Sequence, residues 1–196
     1  MSSDKFELLT LDWLQQRIAE VENKGGTDDD FYLQSYPTLL TIAQNLPLTE
    51  DSAIAVASFA YSWMPTILKK ADSERLLCLI ISAKEGRWQP LTLLDRSPLN
   101  NSWVGLSKVL HFIVPEHYPI WDSRIARHFG LGSQHHMKNA TNYQRYLSKM
   151  QSLVPLADTD TLAEMLTKEG ASSVSAMRAA EFALFMTAPQ PNRKPK

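Results

Sequence analysis

Between one proline or glycine break and the next, the apolar residues of this chain recur at three- and four-residue spacing, and no convincing stretch alternates apolar with polar. The pattern predicts an all-α protein. A first helix carries Phe6, Leu9, Trp13, Ile18 and Val21 and stops before Gly25-Gly26. Thr27-Asp28-Asp29-Asp30 predicts a turn and a cap for a second helix, which runs through Leu39, Leu40, Ile42 and Leu46 to Pro47. Thr49 to Ser52 offer capping groups to a third helix through Ile54, Val56, Phe59 and Trp63, with Pro65 at its end. Asp72-Ser73-Glu74 opens a fourth, apolar from Leu76 to Ile81 and closed by Gly86.

From Arg87 to Asn101 the prolines and Asn100-Asn101 predict a loop with one short helix. A helix around Lys108, a turn between Pro115 and Pro119, and a helix from Asp122 to about Phe129 come next. A polar loop over 130–136 leads to three more helices at about 139–153, 159–169 and 173–187. Residues 1–188 are expected to form a single helical domain, with room for two small lobes meeting near 88–103, and 189–196 a disordered basic tail.

With 196 residues, 44% of them hydrophobic, the chain can bury a sizeable core. A formal net charge of -1 lacks the general basic character of a protein that coats nucleic acid, although one face can still be basic. Cys78 is the single cysteine and sits in an apolar run, so it is expected to be a small buried hydrophobe in a reducing compartment. The N-terminus lacks a secretion signal, and no apolar run approaches the roughly 20 residues that span a bilayer, so a cytoplasmic protein without membrane contact is expected. No phosphate loop, dinucleotide fingerprint or cysteine cluster is present. His135-His136 is a weak metal signal, and neither a metal nor a cofactor is expected.

The chemistry-bearing stretch is Gly105 to Phe112 followed by Pro119-Ile120-Trp121-Asp122-Ser123-Arg124. It sets Lys108 on one helix and Asp122 at the start of the next. A lysine with an aspartate held nearby is the pairing that makes an amine nucleophile and manages its protons. Leu106, Val109, Leu110 and Ile113 form the apolar stripe, and Lys108 lies off it, towards solvent or towards a cleft. Solvation on the helix surface accounts for Lys108 equally well, and N-capping accounts equally well for Asp122.

The order small-Ser107-Lys108-apolar-apolar, then Pro115-x-x-x-Pro119-Ile120-Trp121-Asp122-Ser123-Arg124, resembles the helix-hairpin-helix DNA glycosylase superfamily. It is most similar to a bacterial branch with an 8-oxoguanine-glycosylase-type fold. The resemblance covers about 25 residues, from Trp103 to Phe129; the helix Ala176 to Phe185 is similar as well, and there Arg178 and Glu181 are spaced to pair. It implies a glycosylase-like helical fold and DNA as partner. Lys108 would attack the sugar C1′ of a flipped nucleotide, with Asp122 assisting. Trp88, Trp103, Trp121 and Tyr118 would supply stacking surfaces, and Arg124 and Arg127 phosphate contacts. His111, if protonated, would help to lower the lysine pKa. The substrate-contacting set is therefore Trp103, Trp121, Arg124 and His111. The family pattern has glycines two and four residues before its lysine; here only Gly105 stands nearby, three before Lys108.

Three functions fit. One is a DNA-binding protein that excises a damaged or modified base through Lys108 and Asp122. A second is a non-catalytic nucleic-acid or protein-binding module on the same scaffold, in a bacterial defence or mobile-element setting. In the third, Lys108 and Asp122 pair to fix the turn.

Overall fold

The computed structural model describes residues 4–25, 31–63, 66–87, 91, 93–167 and 174–191. It is all-helical over them, and the only strand-like pairing among them is an isolated bridge between Ala71 and Leu99. The helices are α1 (Leu11–Glu22), α2 (Phe31–Asn45), α3 (Glu50–Ser62), α4 (Ser73–Lys84), α5 (Trp103–Ile113), α6 (Ser123–His128), α7 (Gln134–Met137), α8 (Ala140–Leu153), α9 (Asp160–Leu166) and α10 (Ala176–Met186). The stretch Thr27–Asp30, Trp88 and the tail cations Arg193, Lys194 and Lys196 lie outside the described residues.

Most helix starts follow local chemistry. Thr10, Thr49, Asp72, Ser102, Asp122 and Ser175 each accept a backbone N–H of the first turn. Thr10 moves the start of α1 past Phe6 and Leu9, which are buried in the preceding turn instead of on the predicted helix. His135 and His136 belong to the short α7, where a loop was expected. Cys78 is exposed, which corrects its expected burial. Leu76, Leu79, Ile80 and Ala83 form the inner face of α4, and Cys78, two residues from Leu76, falls on the other side.

The core is one continuous cluster from Phe6 to Leu184, and α5 runs through it. Helices α2, α3 and α4 pack on α5, while α10 packs on α1, α6 and α9. Every residue of α5 except Val104 is buried. The turn into α5 is fixed by Asn100 and Asn101, at φ 51° and 52°, values asparagine tolerates better than most residues. Asn100 Oδ1 accepts from the amides of Lys69 and Lys70 at 2.9 and 2.8 Å, and its Nδ2 donates to the Ile67 carbonyl at 2.9 Å.

Gly105 lets α3 and α5 approach. A Cβ there would sit 2.6 Å from Tyr61 Cε2, and Tyr61 is itself fixed by donating to the Leu99 carbonyl at 3.1 Å. Gly105→Ala is expected to lower stability by about 1–3 kcal/mol through overpacking. Urea denaturation checks this, and a variant as stable as the parent would show that the Tyr61 ring moves aside freely.

Candidate functional site

Lys108 is buried, at 8% exposure. Lying off the apolar stripe does not put it in solvent, because α5 is enclosed on all sides by other helices. Its Nζ stands 5.0 Å from the centroid of the Trp63 ring, within cation–π range. Neither a hydrogen bond nor an ion pair joins it to any described residue, Asp122 included. Burial brings the amine down to about 8 from the usual 10.5; Asp122 and Glu181 oppose that shift, and Arg178 adds to it.

Asp122 caps α6 by accepting the Arg124 amide at 2.6 Å and is part-exposed. Its place relative to Lys108 is set by a neighbouring bond. Ser107 Oγ accepts the Trp121 amide at 2.9 Å while donating to the Val104 carbonyl at 2.9 Å. Two adjacent pairs, Ser107-Lys108 and Trp121-Asp122, are thereby stapled together. Asp122 acts on Lys108 as a nearby charge and not as a contact partner.

The other charges come from α10. Arg178 and Glu181 form an ion pair of 2.5 Å, buried at both ends. The guanidinium lies 5.0 Å from the Tyr36 ring, 5.6 Å from Phe182 and 5.9 Å from Trp63, so two cations share the Trp63 indole. Burial pushes the Glu181 carboxyl up, while Arg178 holds it down. Tyr36, Trp63, Arg178 and Glu181 were not legible as partners of Lys108. A usable signal did exist: the 178/181 pair interrupts a helix that is otherwise Ala, Met, Phe and Leu.

His111 is fully enclosed. Its Nδ1 lies 2.7 Å from the Tyr118 carbonyl, which can only accept, so Nδ1 carries the proton and Nε2 accepts from the Tyr36 hydroxyl at 2.8 Å. Burial holds its pKa down at about 3. It is therefore neutral, which corrects the expectation that a protonated His111 assists the lysine, and neither nitrogen is free for a substrate.

Trp103 and Trp121 are core residues, both 0% exposed. Their rings pack on Tyr143 at 5.9 Å and Tyr146 at 5.1 Å. The expected base-stacking role is thus replaced by core packing, because α8 closes over both indoles. Tyr118 is buried too. Arg124 is exposed, with its guanidinium 4.4 Å from the Phe185 ring, and Arg127 Nε donates to the Pro189 carbonyl at 2.7 Å. Of the sequence-derived set, Lys108 and Asp122 make no direct contact, Arg124 stays on the surface, and His111, Trp103 and Trp121 are enclosed in the core.

Gly105 is internal to α5 and is used in packing. At the positions two and four before Lys108, where the glycosylase pattern has glycines, stand Leu106 and Val104, both within α5. No group of metal-ligating side chains assembles among the described residues, and none of their helices is long and apolar enough to cross a membrane. No family model, curated protein or solved structure matches the chain.

Proposed function

We propose that this chain is a DNA-binding protein of glycosylase type that uses Lys108 as an amine nucleophile on a damaged or modified nucleotide. The observation that carries the reading is Lys108 itself: a buried amine without a direct anionic partner, held near pKa 8 on the face of Trp63. Burial at this cost suits a group whose neutral form is needed. At pH 7 about one amine in ten would be neutral, against roughly one in several thousand for an ordinary lysine.

The neutral amine attacks C1′. The C1′–N bond breaks, its electron pair leaves with the base, and the base takes up a proton. Asp122 accepts the proton that the amine sheds and stabilises positive charge on the sugar. The sugar ring then opens to an imine, which borohydride reduces to a stable secondary amine. Arg124 is the phosphate contact that the exposed surface offers nearest in sequence.

The second reading, a binding module without chemistry, is favoured by Gly105. That glycine is committed to Tyr61 and not to a phosphate-gripping hairpin. Borohydride trapping on oligonucleotides with damaged, modified and abasic sites separates the two. An adduct that disappears in Lys108→Gln supports the amine mechanism. Affinity for the same oligonucleotides with no adduct on any of them favours the module.

A further inference from the structure

Charge is unevenly placed along this chain. Residues 123–157 contain Arg124, Arg127, Lys138, Arg145 and Lys149 but neither Asp nor Glu. The other residues hold 15 of the 20 Lys and Arg and all 21 Asp and Glu, a net charge of -6. Such a separation can give a near-neutral protein one positive surface. The segment spans α6, α7 and α8. Helix α8 buries Tyr143, Tyr146, Leu147 and Met150, exposes Thr141, Arg145, Ser148 and Ser152, and leaves Lys149 half-buried.

A groove of about 440 Å³ lies between this outer side of α8 and the N-terminal turn that carries Asp4 and Phe6. Its α8 wall runs from Thr141 to Ser152, about 16 Å along the helix axis. The Lys149 ammonium and the hydroxyls of Thr141 and Ser148 have no hydrogen-bond or ion-pair partner among the described residues. Asp4 is the one acidic side chain among the described residues lining the groove. It accepts from Arg145 at 3.3 Å, and the two side chains are 38% and 55% exposed. An exposed pair of this kind contributes about 1 kcal/mol or less, so a phosphate can take the place of the carboxylate.

We propose that the sugar–phosphate backbone of DNA docks in this groove, with Arg145 and Lys149 on neighbouring phosphates and the Thr141 and Ser148 hydroxyls donating to phosphate oxygens. The choice of DNA as occupant rests on the reading of the chain as a DNA-binding protein. Arg145 and Lys149 are one helical turn apart, about 6 Å along the axis, and their long side chains can meet successive phosphates of one strand. A groove of this length suits a run of phosphates better than a single one. Cations and hydroxyls without apolar or amide groups aimed at base edges make contacts that hold DNA in register and carry no sequence information.

The test is fluorescence anisotropy of a short labelled DNA duplex over a range of salt concentrations. It compares the parent with the double variant Arg145→Gln, Lys149→Gln. A second double variant, Lys69→Gln, Lys70→Gln, removes the same charge from the exposed loop ahead of α4. The first pair is expected to lose on the order of tenfold or more in affinity, and its log–log salt slope should become shallower by roughly 2, about 0.9 per phosphate contact. The second pair should keep the parent slope. Asp4→Asn retains the oxygen that accepts the Phe6 amide and removes the competing charge, so it should bind more tightly than the parent. Equal losses in the two double variants would overturn the proposal, since total charge and not this groove would then decide binding. Weaker binding by Asp4→Asn would overturn it too. Parent-like binding by Arg145→Gln, Lys149→Gln would overturn it while leaving the DNA reading in place. A parent that binds no duplex even at low salt, or binds only RNA or anionic phospholipid vesicles, would end both.

Discussion

Replacing Arg178 by methionine is expected to cost about 3–5 kcal/mol of stability, the usual result of removing one partner from a buried ion pair. Glu181 would be left enclosed with its charge uncompensated, and the guanidinium plane now packed against Tyr36, Trp63 and Phe182 would be lost. The sign of the pH dependence follows from Glu181. Its folded-state pKa is raised, so the folded state binds its proton more readily than the unfolded chain does. Stability tied to this group therefore falls as pH rises through the unfolded value towards the folded one, and acidification relieves the deficit. With Arg178 gone the folded value climbs further, so the variant should recover part of its loss near pH 5. Adding Glu181→Leu to Arg178→Met should restore a large share of the stability even at pH 7, because two apolar side chains carry no desolvation cost. Urea denaturation of the two variants at pH 5 and 7 checks all three statements. A loss under about 1 kcal/mol in Arg178→Met would mean that water reaches the pair.

Residues that act through their near neighbours were legible in the sequence. The capping residues Thr49, Asp72 and Asp122, the glycine that closes α4 and the proline-bracketed turn before Asp122 all work within a few positions along the chain. The surroundings of Lys108 were not legible, because they are assembled from distant segments. Trp63 comes from the end of α3, Tyr36 from α2, and Arg178 and Glu181 from α10. The sequence showed a helix with one apolar stripe and three polar residues beside it. In the structure each of those polar residues is buried against a partner contributed by another element: Ser107 by Trp121, Lys108 by Trp63, and His111 by Tyr36 and Tyr118. Periodicity reports which face of a helix is apolar. It does not report how many neighbours surround the helix, and for α5 the neighbours decide.

The same enclosure makes Lys108→Met an expected stabilising change. A lysine at about 8 in the folded state, against 10.5 in the unfolded chain, binds its proton less well when folded. Stability should therefore rise with pH between those two values, and the full cost of burying the ammonium is present below pH 8. That cost is on the order of 3 kcal/mol. The contact with Trp63 offsets about 1 kcal/mol or less of the gain from removing the charge. Methionine fills a similar volume without a charge, so Lys108→Met should be about 2 kcal/mol more stable than the parent at pH 7. The advantage should shrink steadily from pH 8 to above pH 10, and urea melts of both proteins across that range isolate the single group. A more stable Lys108→Met would agree with the proposed role of the amine, since the lysine would then contribute nothing to folding. A variant less stable than the parent at pH 7 would instead make Lys108 a structural cation held by Asp122 and Glu181, and the proposed nucleophile would lose its physical basis.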